Sequence, residues 1–167
     1  MFNCGASYQA ILNYQPIGKN EPAKNISFFV EPVKDLRPDT SSIGAYKNEQ
    51  CLKEQDVHPS SDVSMWLSES LQKELQLAGY GISLSSRELR IETSLLEANC
   101  DFYGEFHARI KLGIRVLSHD IVLVDKNYVG ETTVGAFVTD REYGRVLGIA
   151  LQETMKKIMK DIKQVAR

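Results

Sequence analysis

Positive charge is not in excess in this chain: 20 lysines and arginines face 22 acidic residues, for a formal net charge of -2. That balance leaves no basic footprint for gripping a nucleic-acid backbone. No run of 18 apolar residues occurs, so no segment reads as a membrane-spanning helix. Three cysteines are too few for a disulfide-built scaffold, and the core must come from ordinary apolar packing. Phosphate-cradling motifs are missing too: neither G-x-G-x-x-G nor G-x-x-x-x-G-K-S/T is present. Gly79-Tyr80-Gly81 follows a helical pattern rather than opening one, and reads as a turn. What remains is a chain of 167 residues, 43% hydrophobic and 25% charged, the size and balance of one globular domain.

Residues 1–25 read as a tether, because Pro16, Gly18 and Pro22 interrupt any periodicity. The domain proper is expected over 26–167. Ile26, Phe28 and Val30 alternate with Ser27, Phe29 and Glu31 and predict a first strand, closed by Pro32. From Asp35 to Ser61 the chain reads as a long irregular connection, a kind of segment that is either functional or mobile. Val63, Leu67, Leu71 and Leu75 then recur every four residues, with Ser61 or Asp62 available as N-cap and Gly79 as C-terminal stop. Leu89 to Leu95 alternates as a strand. The next run is cleaner: Phe106, Ala108, Ile110, Leu112, Ile114 and Val116 fall on one face, Glu105, His107, Arg109, Lys111 and Arg115 on the other. Ser118-His119-Asp120 supplies a turn into a last strand, about 121–137, with an irregularity expected near Asp125 to Asn127. Thr139 and Glu142 have capping-box spacing ahead of a helix whose apolar positions run from Leu147 to Val165. The order β-α-β-β-β-α predicts an α+β two-layer sandwich, with two helices on one face of a mostly antiparallel four-stranded sheet.

No catalytic constellation stands out. His58 and His119 have no partner at metal-ligand spacing, and His107 shares its strand face with Glu105 but also with the opposing charges of Arg109 and Lys111. Cys100 as a nucleophile with His107 as base would need a third, orienting group. Its neighbour Asp101 would raise rather than lower the thiol pKa. Neither a metal nor a cofactor is expected. Asp35, Arg37 and Asp39 form the densest polar cluster, open to a partner's charged group or to pairing within the loop. Arg109, Lys111 and Arg115 offer cations to an anionic head group or an acidic partner surface. Cys4 heads the run Cys4-Gly5-Ala6-Ser7, small residues after a cysteine as in a mature bacterial lipoprotein; only Met1 to Asn3 precede it, with no basic or apolar leader. Cys51 and Cys100 remain free to pair or not.

Several short features together resemble the YajG family of uncharacterised bacterial outer-membrane lipoproteins. They are Asp35-x-Arg37 after the first strand, Ile43-Gly44, Gly79-Tyr80 closing the first helix, Asn127-Tyr128 and Gly135-Ala136-Phe137, and the terminal Ile162-Lys163-Gln164-Val165-Ala166-Arg167. The resemblance spans roughly residues 26–167. It implies a lipid on Cys4 and attachment at the periplasmic face of the outer membrane (Gly5 at the second position fits that sorting), and it carries over no catalytic residues. The expectation is a non-enzymatic binding or adaptor protein with a partner in the cell envelope, in membrane-complex assembly or as a transport accessory. Two other readings stay open: a cytosolic ligand-binding protein or small enzyme with an unrecognised site, and a subunit that pairs edge strands in an oligomer.

Overall fold

The strand with the cleanest alternation lies in the middle of the fold. In the computed structural model, which describes residues 7–47, 54–85 and 89–166, β8 (Glu105–Ser118) runs antiparallel between β7 (Leu89–Tyr103) and β9 (Ile121–Val134). Its six alternate apolar residues from Phe106 to Val116 are all buried, as period-two patterning requires. The β8–β9 turn carries positive φ at both His119 (48°) and Asp120 (66°), the turn geometry whose twist matches the flanking strands. The irregularity expected at 125–127 sits instead between Val116 and Leu117, where the β8–β9 register shifts.

Beyond β7 the sheet departs from the four-stranded expectation. Three short strands lie end to end along its other edge, all parallel to it: β2 (Ser27–Val30) beside 89–91, β3 (Lys34–Asp35) beside 94–95, and β4 (Ala45–Lys47) at Phe102. β6 (Gly81–Ile82) pairs parallel with β2, β5 (Glu54–Pro59) antiparallel with β4, and β1 (Tyr8–Ala10) parallel with β5. The described residues thus form a mixed nine-stranded sheet, not a mostly antiparallel four-stranded one. The reason is length. β1, β3, β4 and β6 contain two or three residues each, too few to show an alternation, so they are specified by their neighbours rather than by their own pattern. The stretch 35–61 accordingly contributes strands and buries Ile43 and Val57 completely.

The helices form where their signals stand. Asp62 caps α1 (Val63–Leu77) by accepting a hydrogen bond from the Met65 amide at 2.8 Å. Gly79, at φ 83°, takes the left-handed turn past its end. Thr139 caps α2 (Asp140–Val165) by accepting from the Glu142 amide at 3.2 Å. The reciprocal half of the capping box is not made, because the Glu142 carboxylate is held by Arg145. Both helices, β1 and the inner sheet face share one core, with Tyr143 fully buried edge-on to Phe106 at 5.0 Å between ring centroids.

The segment expected to be a tether is docked from Tyr8 onward. After β1, the chain runs the length of α2 as a strap: the Ile11 amide donates to the Asp140 carbonyl, Gln152 donates to the Gln15 carbonyl, and Lys163 pairs with Glu21. It crosses to α1 as it goes, with the Glu21 amide bonded to the Leu77 carbonyl and the Lys24 amide to that of Gly79. The boundary placed at residue 26 therefore divides a continuously packed body.

Candidate functional site

The residues singled out for binding fall into two groups, and the structure spends most of their charge internally. Arg37 lies at the end of β3 with only 8% of its surface exposed. Its guanidinium grips both carboxylate oxygens of Asp35, at 2.7–3.2 Å, and donates to the carbonyls of Ser42 and Thr40. A rigid fork of five donors suits this task, since it ties three points of the loop to one centre. Burial raises the Asp35 carboxyl, but the hydrogen bonds and charge of Arg37 outweigh that and hold it below its ordinary value. Asp39 is exposed and folds back on Ser41, accepting from both its amide and its hydroxyl. Asp35 and Arg37 are thus joined, while Asp39 stands apart from them.

Arg109, Lys111 and Arg115 do share the outward face of β8. Arg109 sits between Glu97 on β7, at 2.9 Å, and Glu131 on β9. Arg115 is flanked in the same way by Glu92 at 2.9 Å and Asp125 at 3.4 Å. Lys111, opposite Glu97 and Val129, has no ion pair among the described residues. The face is therefore a lattice of alternating charge rather than a cationic patch. Such pairs are worth about 0–1 kcal/mol each when exposed, so their main effect is on what the surface can recognise.

The Cys100–His107 pairing is excluded by strand geometry. Cys100 stands opposite Ala108 and points into the core with no exposure, whereas His107 faces outward, near Thr133 and Glu105. Burial, with the Asp101 charge adding to it, pushes the Cys100 thiol up to about 12. The expected result is that Cys100 stays unmodified by iodoacetamide at pH 8 in the native protein and reacts once the chain is unfolded in guanidinium; rapid native labelling would contradict the packing. His58 donates from Nδ1 to the Ser41 carbonyl, 2.8 Å away, and serves the loop. Among the described residues no three histidine, cysteine or acidic side chains converge as metal ligands. Cys4, expected to carry a lipid, and Cys51, expected to be free to pair or not with Cys100, lie outside the described residues.

One residue of consequence escaped the sequence reading. Glu74, on the buried face of α1, is 1% exposed and accepts three hydrogen bonds: from the Tyr14 hydroxyl (2.6 Å), the Ile17 amide (2.8 Å) and the Gly18 amide (3.0 Å). A glutamate in a helix pattern looks like surface. Its only sequence trace is that it immediately precedes Leu75 on the apolar stripe.

The described residues make a small α+β domain in which Arg37, Arg109 and Arg115 are paired within its own loop and sheet surface. The model of a family described as uncharacterized lipoprotein matches residues 16–164, and this chain belongs to that family, in keeping with its YajG-like features. No curated protein matches it in sequence. Solved structures do match in fold. Protein XCC0632 from Xanthomonas campestris superposes with a TM-score of 0.66 at 11% identity, over 96% of this chain and 99% of that one. An uncharacterized protein gives 0.63 at 16% identity, over 94% and 99%. The hypothetical protein CT253 from Chlamydia trachomatis gives 0.56 at 11% identity, over 83% and 96%. At these identities the likeness is one of fold. Among the described residues no helix is long and apolar enough to cross a membrane.

Proposed function

We propose that this chain is a non-enzymatic protein of the bacterial cell envelope, held by a lipid on Cys4 at the periplasmic face of the outer membrane, and that it acts there as a binding or adaptor module. Membership of a lipoprotein family carries this reading, together with the Cys4-Gly5-Ala6-Ser7 run, which begins twelve residues ahead of the matched region. Chain geometry adds a constraint. Four residue steps separate Cys4 from Tyr8, the first residue of β1, so the anchor reaches at most about 14 Å from the packed body. The β1 end of the domain then rides close to the bilayer. Tyr8 packs on Tyr46, which stacks on Phe102 at the tip of the β7–β8 hairpin. At that same end Tyr103 and Phe137 are exposed, by 62% and 93%, and aromatic side chains suit the membrane interface.

The partner surface on this reading is the outward face of β8 with Arg109, Lys111 and Arg115, continued by the loop that Asp35, Arg37 and Asp39 organise. Because Arg109 and Arg115 are each flanked by two carboxylates, the face fits a protein surface of mixed charge better than an anionic lipid. The test is mass spectrometry of the protein purified from native membranes. The expected product begins at an acylated Cys4, and Cys4→Ser leaves the membrane fraction. A free Cys4 thiol in the soluble fraction would overturn the proposal.

A further inference from the structure

The strap and the C-terminal ends of the two helices enclose an open cleft of about 510 Å3, lined by Ile17, Lys19, Ala78, Met159, Lys160 and their neighbours. That is the size of a site for a small ligand. Its floor is apolar: Ala78 and Met159 are almost fully buried and Ile17 is half-buried. Its rim is cationic. Lys19 comes from the strap, and Lys156, Lys160 and Lys163 come from α2.

Two of these lysines are already engaged, Lys156 with Glu153 and Lys163 with Glu21. Glu21 is saturated by Lys163 and Lys24, whose hydrogen bonds take its carboxyl down to about 2. The other carboxylate of the wall, Glu74, spends both oxygens on Tyr14, Ile17 and Gly18. Lys19 has no ion pair among the described residues, and Lys160 has none either, its charge only helping at longer range to hold the Asp161 carboxyl down, although the chain as a whole is net negative. Cations at the end of α2 suit its dipole, but that accounts for neither Lys19, which is not on a helix, nor the apolar floor beneath it. Lysine is well fitted to such a rim, since its stem packs on apolar surface while its ammonium stays in water.

We propose that this cleft binds an anionic amphiphile, a single acyl chain with a carboxylate or phosphate head. The chain lies along Ile17, Ala78 and Met159, and the head sits between Lys19 and Lys160. This site is separate from the anchor at Cys4 and does not depend on it.

The test is isothermal titration of the full chain with dodecanoate and with dodecyl phosphate, each below its micelle concentration. Dodecyl maltoside and inorganic phosphate serve as comparators. Saturable binding of at least one anionic amphiphile is expected, and the two arms show which head group is preferred. The Lys19→Gln/Lys160→Gln double variant is expected to weaken it at least tenfold, while Lys34→Gln, on the far side at β3, leaves it unchanged. Both lysines are exposed, so the fold should survive, which a thermal melt checks. Absence of saturable binding, or binding indifferent to the double variant, would overturn the proposal. So would equal affinity for inorganic phosphate or for the neutral maltoside, because the first dispenses with the chain and the second with the charge.

Discussion

Glu74→Ala is expected to release the strap from α1 and to lower stability by about 3 kcal/mol. Hydrogen bonds to a charged acceptor contribute roughly 1.5–3 kcal/mol each, and Glu74 accepts three. They do not add fully, because Tyr14 and Ile17 are only half-buried and Gly18 is exposed, so water can replace part of what is lost. Alanine recovers a few tenths through its better helix propensity. In a chain of this size that loss lowers Tm by about 6–12 °C. A structural signature should accompany it: Lys19, next to the Gly18 amide that Glu74 holds, and Lys24, bonded to the Ala78 and Gly79 carbonyls, become early sites of tryptic cleavage. Tyr14→Phe removes one bond and leaves the two backbone ones, so it should cost about 1 kcal/mol and leave the strap protected. A Glu74→Ala protein with unchanged melting and unchanged cleavage would show that the strap is held by something else.

The strap also marks the limit of what the sequence revealed. Elements with their own periodicity were legible. The helix over 63–77 announced itself through Val63, Leu67, Leu71 and Leu75 with Asp62 ahead and Gly79 behind, and β8 through six alternating apolar residues. Residues 8–25 have no such pattern, because they are fixed from outside. The Ile17 and Gly18 amides go to a carboxylate on α1, those of Glu21 and Lys24 to carbonyls at the end of α1, and the Gln15 carbonyl accepts from α2. The short strands β3, β4 and β6 were invisible for the same reason, each being defined by the edge it adds to. Of the candidate site, the Asp35–Arg37 pairing was one of two readings the loop allowed, and burial of the guanidinium decides for it. The cations of β8 were read correctly as outward-facing. Their carboxylate partners came from strands on either side, which no single-strand pattern could show. The lysine cleft draws on Lys156, Lys160 and Lys163 of α2 and on Lys19, which only the path of the strap brings beside them.

Gly144→Ala should destabilise the protein although helix propensity alone favours it. In an exposed helix, replacing glycine by alanine gains about 1 kcal/mol. At position 144 a Cβ would stand 1.7 Å from the Ile11 carbonyl oxygen and 2.5 Å from its carbon, both backbone atoms that cannot swing aside. The strap must move bodily, and Ile11 directly follows β1, whose Ala10 is fully buried and paired with Pro59. Overpacking of this kind costs about 1–3 kcal/mol, near the upper end here because strap and strand shift together. One turn on, Gly148→Ala meets the Asn13 carbonyl oxygen at 2.5 Å, a milder clash ahead of an exposed stretch of strap, so its net effect should be smaller. The pair separates two ideas. If intrinsic helix propensity ruled, both variants would melt above the parent and by similar amounts. If the strap is seated on a groove cut by these glycines, Gly144→Ala melts well below Gly148→Ala, and its β1–β5 amides lose hydrogen-exchange protection while those of β7 and β8 keep theirs.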